Sequence, residues 1–214
     1  MTFNKLRMAI PIVEKQPVRL SPQSLTYLRT YPALVEAASI LRDKPDLLLN
    51  VLSTLAYGWM PRIVRLDTDC FDDASKAIKV ALAITSPLEQ PSIIVRIAAC
   101  LRSVVGASKL LHFLRPAIFP IWDSKVASEW RSTDPSQPFV PSQSFMSDPR
   151  YYLEYAADVG KLCDMAEAPA FFIAFGAAYS DRLASLRIEK YVLTPVRAIE
   201  AAAFELGGGN YDDD

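Results

Sequence analysis

The chain has 214 residues, 51% of them hydrophobic and 22% charged, with a net charge of −1. That length and apolar content support one ordinary domain with a sizeable core and exclude an intrinsically disordered chain. Three widely spaced cysteines, Cys70, Cys100 and Cys163, with no C-x-x-C pair and His112 as the single histidine, argue against a zinc site or an iron–sulfur cluster. The thiols read as small core residues of a cytoplasmic protein. Apolar runs such as 168–178 are too short to span a bilayer, so no membrane association is expected. Lys5 and Arg7 are not followed by a continuous apolar stretch before Glu14 and Lys15, so no secretory signal is expected either.

Taken in chain order, apolar residues recur at i, i+3, i+4 and i+7 and nowhere alternate, which predicts an all-α fold. Ser21-Pro22 reads as an N-cap followed by proline at the first helical position, continued by Leu25, Leu28 and Arg29. Pro32 is expected to restart a helix through Leu34, Ala37, Ala38 and Leu41. Pro45 opens another, with Leu48, Leu49, Leu52, Leu55 and Ala56 on its apolar face and Gly58 near its end. Asp72 and Asp73 precede a helical run over 74–84, where negative charge suits the positive end of the helix dipole. Pro91-Ser92 open a helix predicted over 93–105. Residues 132–149, with Pro135, Pro138, Pro141 and Pro149, read as one long irregular loop, a feature that in compact domains is often functional. Helices are predicted again over 151–165 and 170–179, with one or two from 181 to 206 interrupted at Pro195. A single helical domain over 1–206 is expected, followed by a mobile acidic tail over 207–214.

The segment 103–126 carries the densest chemical information. Gly106 opens a short helix bearing Lys109 and His112, the helix stops at Pro116, and a tight apolar stretch delivers Asp123 to the start of the next helix. Between 96 and 131 the basic residues Arg96, Arg102, Lys109, Arg115, Lys125 and Arg131 face only Asp123 and Glu129, a local excess of four positive charges. That local surplus admits a phosphate-bearing partner which the net charge of the whole chain does not suggest.

Ser103-Val-Val-Gly106-Ala-Ser-Lys109, followed by Phe119-Pro-Ile-Trp-Asp123-Ser-Lys-Val126, resembles the helix-hairpin-helix DNA glycosylases, in particular small bacterial proteins with an 8-oxoguanine-glycosylase-like fold. Gly106 matches one hairpin glycine, Lys109 the early-helix lysine, Asp123 the indispensable aspartate and Lys125 the residue two beyond it. The chain departs from the family pattern in having one hairpin glycine, Lys125 where histidine is common, and 14 residues between lysine and aspartate.

The resemblance implies a two-lobed, all-α fold of the helix-hairpin-helix type, with the site between the lobes. It implies a prokaryotic DNA N-glycosylase that flips a damaged or modified base out of double-stranded DNA and hydrolyses its N-glycosidic bond, in base-excision repair or in defence against phage DNA. Asp123 would stabilise the oxocarbenium-like transition state or activate water. Lys109 would act either as a Schiff-base nucleophile, adding lyase activity, or as a phosphate clamp. Backbone amides at Val104, Gly106 and Ala107, with Ser108 and Lys125, would hold the DNA backbone. Trp122, His112, Phe113, Tyr57 and Trp59 would line the base pocket. The chemistry needs no cofactor; a structural monovalent ion at the hairpin follows by analogy only.

Each residue also has a purely structural reading. Asp123 suits an N-cap, His112 and Trp122 suit the core, and Tyr57 suits an aromatic helix end. The alternative of a different class is a non-catalytic helical DNA- or protein-binding module on the same scaffold.

Overall fold

A computed structural model of the protein describes residues 1–15, 20–58, 65–132 and 138–209. Among the described residues the chain is helical and forms no β-strand, as the periodicity predicts. It divides into two compact units, one made of Met1–Pro32, Ser124–Pro141 and Asp158–Asp214, the other of Ala33–Asp123 and Ser142–Ala157. The division runs through the domain expected over 1–206.

The first unit begins with two short helices, α1 (Phe3–Leu6) and α2 (Ala9–Lys15), that periodicity does not predict. Thr2 caps α1 by accepting a hydrogen bond from the Lys5 amide at 3.4 Å. α3 runs from Pro22 to Ile40 without the restart expected at Pro32. Proline removes one i→i−4 bond but fits a helical φ, so the helix continues through it. The boundary between the two units falls at this residue.

α4 (Pro45–Gly58) matches its prediction, and α5 (Phe71–Ala81) takes Asp72 and Asp73 into its first turn. α6 (Ser92–Leu101) ends earlier than expected. Arg102 adopts a left-handed φ of 51°, and the amides of Arg102 and Ser103 turn back onto Ala99 O and Ala98 O. This is a Schellman stop built on arginine where glycine is usual. Ser103 then caps α7 (Val104–Leu114), its hydroxyl accepting from the Gly106 amide at 3.0 Å. The helix therefore opens at Val104, and Gly106 sits inside its first turn.

α8 (Ser124–Arg131) begins directly after Asp123 and contains the last three residues of the motif. Of the expected loop 132–149, residues 133–137 lie outside the described residues, and the rest is not one loop. Ser142 caps a short helix α9 (Gln143–Ser147), and Pro149 already begins α10 (Pro149–Cys163). α11 (Ala168–Ser185) continues six residues past its predicted end, and α12 (Pro195–Leu206) starts on a Thr194 cap with proline in its first turn.

The glycines assigned to a tail are ordered. Gly208, at φ 98°, and Gly209 close α12 with amide bonds to Glu205 O and Phe204 O. Gly207 lies so close to the Lys125 carbonyl that a β-carbon would sit 2.4 Å from its oxygen. Of the expected tail, residues 210–214 lie outside the described residues.

In the first unit α2 and α8 pack on α12, and α2 also packs on α11. Phe3, Phe171 and Phe175 form an aromatic row with ring centroids 5.3 and 5.5 Å apart. Small residues, Ala198 and Ala201–Ala203, let neighbouring helices approach α12. A buried ion pair crosses this core: the Arg182 guanidinium reaches Glu205 at 2.6 Å, and its Nε donates to Val13 O at 3.3 Å. In the second unit α7 is the central helix and packs on α4, α6 and α9.

Arg182 is wholly enclosed, so removing it strands a buried carboxylate. Arg182→Met is expected to cost about 3–5 kcal/mol in urea unfolding, and adding Glu205→Gln should recover much of that loss.

Candidate functional site

α7 has no solvent face between Gly106 and Phe113. A helix apolar on nearly every side becomes a core helix, and its few polar side chains must then find partners inside. Those side chains are Ser108, Lys109 and His112. The Ser108 hydroxyl accepts from the Trp122 amide at 3.0 Å, and it lies 2.9 Å from Val105 O and 3.4 Å from Trp122 O, either of which can take its proton. His112 donates from Nδ1 to Phe119 O at 2.7 Å, which places the proton on that nitrogen. Arg115 sends its guanidinium to Ala81 O and Leu82 O at 3.2 and 3.0 Å, capping the end of α5. The Ile118 and Phe119 amides turn back onto Arg115 O at 3.0 and 3.1 Å. The strip 115–123 is thus stitched along α7.

The Ser108–Trp122 clasp has a direct consequence for the motif. Trp122 precedes Asp123 and Ser108 precedes Lys109, so the clasp brings Asp123 and Lys109 onto adjoining stretches of backbone. Asp123 is half-buried immediately before α8, and Lys109 is 8% exposed. Both belong to the second unit.

The residues expected to line a base pocket are placed differently. Trp122, His112 and Phe113 have no exposed surface. Trp122 donates from Nε1 to Met146 O at 3.3 Å and packs against Phe145 and Tyr155, with centroids 5.8 and 5.5 Å away. Tyr57 is also buried, donates its hydroxyl to Leu101 O at 2.7 Å and covers Gly106, whose α-carbon faces the ring edge. These four side chains hold the motif in position and do not form an open wall. Trp59 lies outside the described residues.

The expected backbone-binding set also divides. The Gly106 amide is used by the Ser103 cap and the Ala107 amide by Ser103 O, which leaves the amides of Val104 and Val105 as the open donors of the α7 start. Ser108 is fully enclosed in its clasp. Lys125 lies with its ammonium 5.5 Å from the Phe204 ring centre, in the first unit.

The six cations of 96–131 do not form an undisturbed basic face. Arg96 pairs with Asp73 at 3.4 Å, Arg102 with Asp67 at 2.9 Å, Arg115 caps α5, and Arg131 lies 4.0 Å over Trp130. The Arg102 guanidinium holds the Asp67 carboxyl below its ordinary range. Arg102 remains 69% exposed, and such a surface pair exchanges partners at little cost.

The monovalent ion suggested by analogy would have to draw on the carbonyls of the turn between α6 and α7. Those carbonyls are already engaged: Ala98 O by the Ser103 amide, Ala99 O by the Arg102 amide, Cys100 O by the Asp67 amide and Leu101 O by Tyr57. Among the described residues no three His, Cys, Asp or Glu side chains gather in the manner of a metal site.

The first unit contains a cluster that sequence reasoning missed. Tyr31 packs on Tyr191 at 5.2 Å and lies under the Arg197 guanidinium at 4.8 Å, while the hydroxyls of Tyr179 and Tyr191 are 3.2 Å apart. Burial pushes the phenols of Tyr31, Tyr179 and Tyr191 above their ordinary range. Burial lowers the Arg197 affinity for its proton, but the adjacent Glu200 and the phenols more than offset this. Beside the cluster lies a shallow cleft of 320 Å³ lined by Phe172, Ile173, Gly176, Ser180, Lys190 and Tyr191, among others. The only advance signal was the recurrence of tyrosine; nothing in the spacing of 31, 179 and 191 brings them together.

Comparison of the chain with protein-family models, with curated proteins and with solved structures finds no match.

The clasp predicts a measurable cost. Ser108→Ala leaves the enclosed Trp122 amide without its acceptor and should destabilise the chain by about 1–3 kcal/mol in chemical denaturation. A loss below a few tenths of a kcal/mol would show that the strip 115–123 is held by other contacts.

Proposed function

We propose that the protein is a DNA N-glycosylase, with Asp123 as its catalytic carboxylate. What supports this reading is the Ser108–Trp122 clasp, which brings the backbone before Asp123 against the backbone before Lys109. A carboxylate held in this way at a half-buried position can stabilise positive charge developing on a deoxyribose, or orient the attacking water. The open amides of Val104 and Val105 at the start of α7, with exposed Arg102 beside them, offer hydrogen-bond donors and positive charge to a DNA phosphate. Lys109 carries two assignments, nucleophile or backbone-contacting cation, which differ in whether a covalent intermediate forms.

A second reading has its own observation. Trp122, His112 and Phe113 have no exposed surface, which favours a non-catalytic DNA- or protein-binding module on this scaffold. Base extrusion into an aromatic pocket would then require Asp123 to work with side chains other than these.

Purified protein incubated with duplexes carrying a panel of modified bases separates the two readings. The glycosylase releases at least one base, and Asp123→Asn lowers that release by about 10²–10⁴-fold while retaining DNA affinity. Binding without release from any duplex supports the module. Release that is undiminished in Asp123→Asn removes Asp123 from the chemistry. Borohydride trapping resolves Lys109: a nucleophile gives a covalent adduct that Lys109→Gln abolishes, and an adduct that persists in the variant rules the lysine out as nucleophile.

A further inference from the structure

Cys70 and Cys100 are separated by 30 residues in the sequence, yet the fold brings both to one backbone group. The Asp67 carbonyl accepts from the Cys70 amide at 3.2 Å and from the Cys100 thiol at 3.5 Å. The Asp67 amide in turn donates to Cys100 O at 2.8 Å. The turn 67–70, capped by the Asp67 carboxylate, is therefore sewn to the last turn of α6, with both cysteines at the seam. Cys70 is partly accessible at the start of α5, whereas Cys100 is fully enclosed.

We propose that Cys70 and Cys100 form a reversible disulfide, a modification site that fastens the 67–70 turn to α6. The proposal stands on this geometry and does not depend on the glycosylase reading. Three features set the order of events. Cys70 is the thiol that solvent reaches, so it meets an oxidant first. The exposed Arg102 guanidinium, paired with Asp67, lies within electrostatic range of the Cys70 sulfur and places a cation there for an anionic oxidant. Cys100 is held by its bond to Asp67 O beside the Cys70 backbone, and burial raises its thiol above the ordinary range, so it stays protonated until a mixed disulfide forms next to it.

With a low-molecular-weight disulfide as oxidant, such as oxidised glutathione, the chemistry balances in two exchanges. The Cys70 thiolate attacks one sulfur of the oxidant, its S–S bond breaks, and one glutathione thiolate leaves. Cys100 gives up its proton to solvent and attacks the Cys70 sulfur of the mixed disulfide, releasing the second glutathione thiolate. Two electrons pass from the protein thiols to the oxidant, and both thiol protons pass to solvent. Cys163 lies at the end of α10 in the other unit, and burial pushes its thiol up to about 11, so it stays protonated at neutral pH. The cross-link falls three residues before the α7 cap at Ser103, so oxidation anchors the turn that precedes the motif helix.

The test uses the full reduced chain treated with oxidised glutathione at neutral pH, quenched with acid and alkylated. Digestion without reductant is followed by mass spectrometry. The expected result is the loss of two hydrogens from the intact chain and a single linked peptide pair joining Cys70 to Cys100, with Cys163 alkylated. Cys163→Ser should form the same link, and Cys70→Ser should abolish it. In urea the same treatment should scramble pairing among the three thiols, which ties the selectivity to the fold and not to reactivity alone. Stable glutathione on Cys70 with no cross-link overturns the proposal, as does a folded-state link through Cys163 or full alkylation of all three thiols.

Discussion

Enclosing α7 on every side is the constraint on which the rest of the second unit depends. A helix sequestered this completely cannot leave a hydroxyl or an imidazole without a partner, because a buried polar group loses its hydration and regains nothing unless the fold supplies a hydrogen bond. Ser108 and His112 obtain theirs from the strip 115–123, one through Trp122 and the other through Phe119. That demand ties the strip to the helix and thereby fixes where the chain arrives at Asp123. Tyr57 meets the same demand at the other end of the helix, through the Leu101 carbonyl. The polar residues of the motif therefore build the scaffold that places the Asp123 carboxylate.

The cations of the region obey a similar economy. Arg115 is spent on the end of α5, and Arg96 and Arg102 are paired with Asp73 and Asp67. Counting charge along the chain suggests a basic face, but the fold had already committed part of it to carbonyls and carboxylates. The exposed Arg102–Asp67 pair differs from the buried Arg182–Glu205 pair in what it contributes. A surface pair trades partners easily, whereas a buried one is retained because breaking it strands a charge.

Much of the architecture was legible beforehand. The 3.6-residue periodicity of 45–58, the Thr194-Pro195 start and the acidic first turn of α5 are local signals, and local signals report helices well. The errors fell where local and tertiary preferences compete. Pro32 and the residues after Tyr179 look locally like helix ends, yet the packed helices α3 and α11 carry on through them. Arg102 ends α6 in a left-handed conformation that no residue other than glycine advertises. The three glycines after Leu206 read as a tail because glycine marks both mobile chain and a helix stop, and only the Lys125 backbone pressed against Gly207 distinguishes them.

The sequence by itself determined that the chain is helical, that 103–126 concentrates its distinctive polar chemistry, and that Asp123 follows an apolar strip at a helix start. These properties follow from spacing and residue type over short stretches. Tertiary structure alone decided that Trp122, His112 and Phe113 are core, that Ser108 is a clasp, and that Cys70 and Cys100 share one carbonyl. Burial and hydrogen bonding between residues far apart in sequence depend on which helices pack together, and that choice is made by the sum of many apolar contacts, not by any single motif.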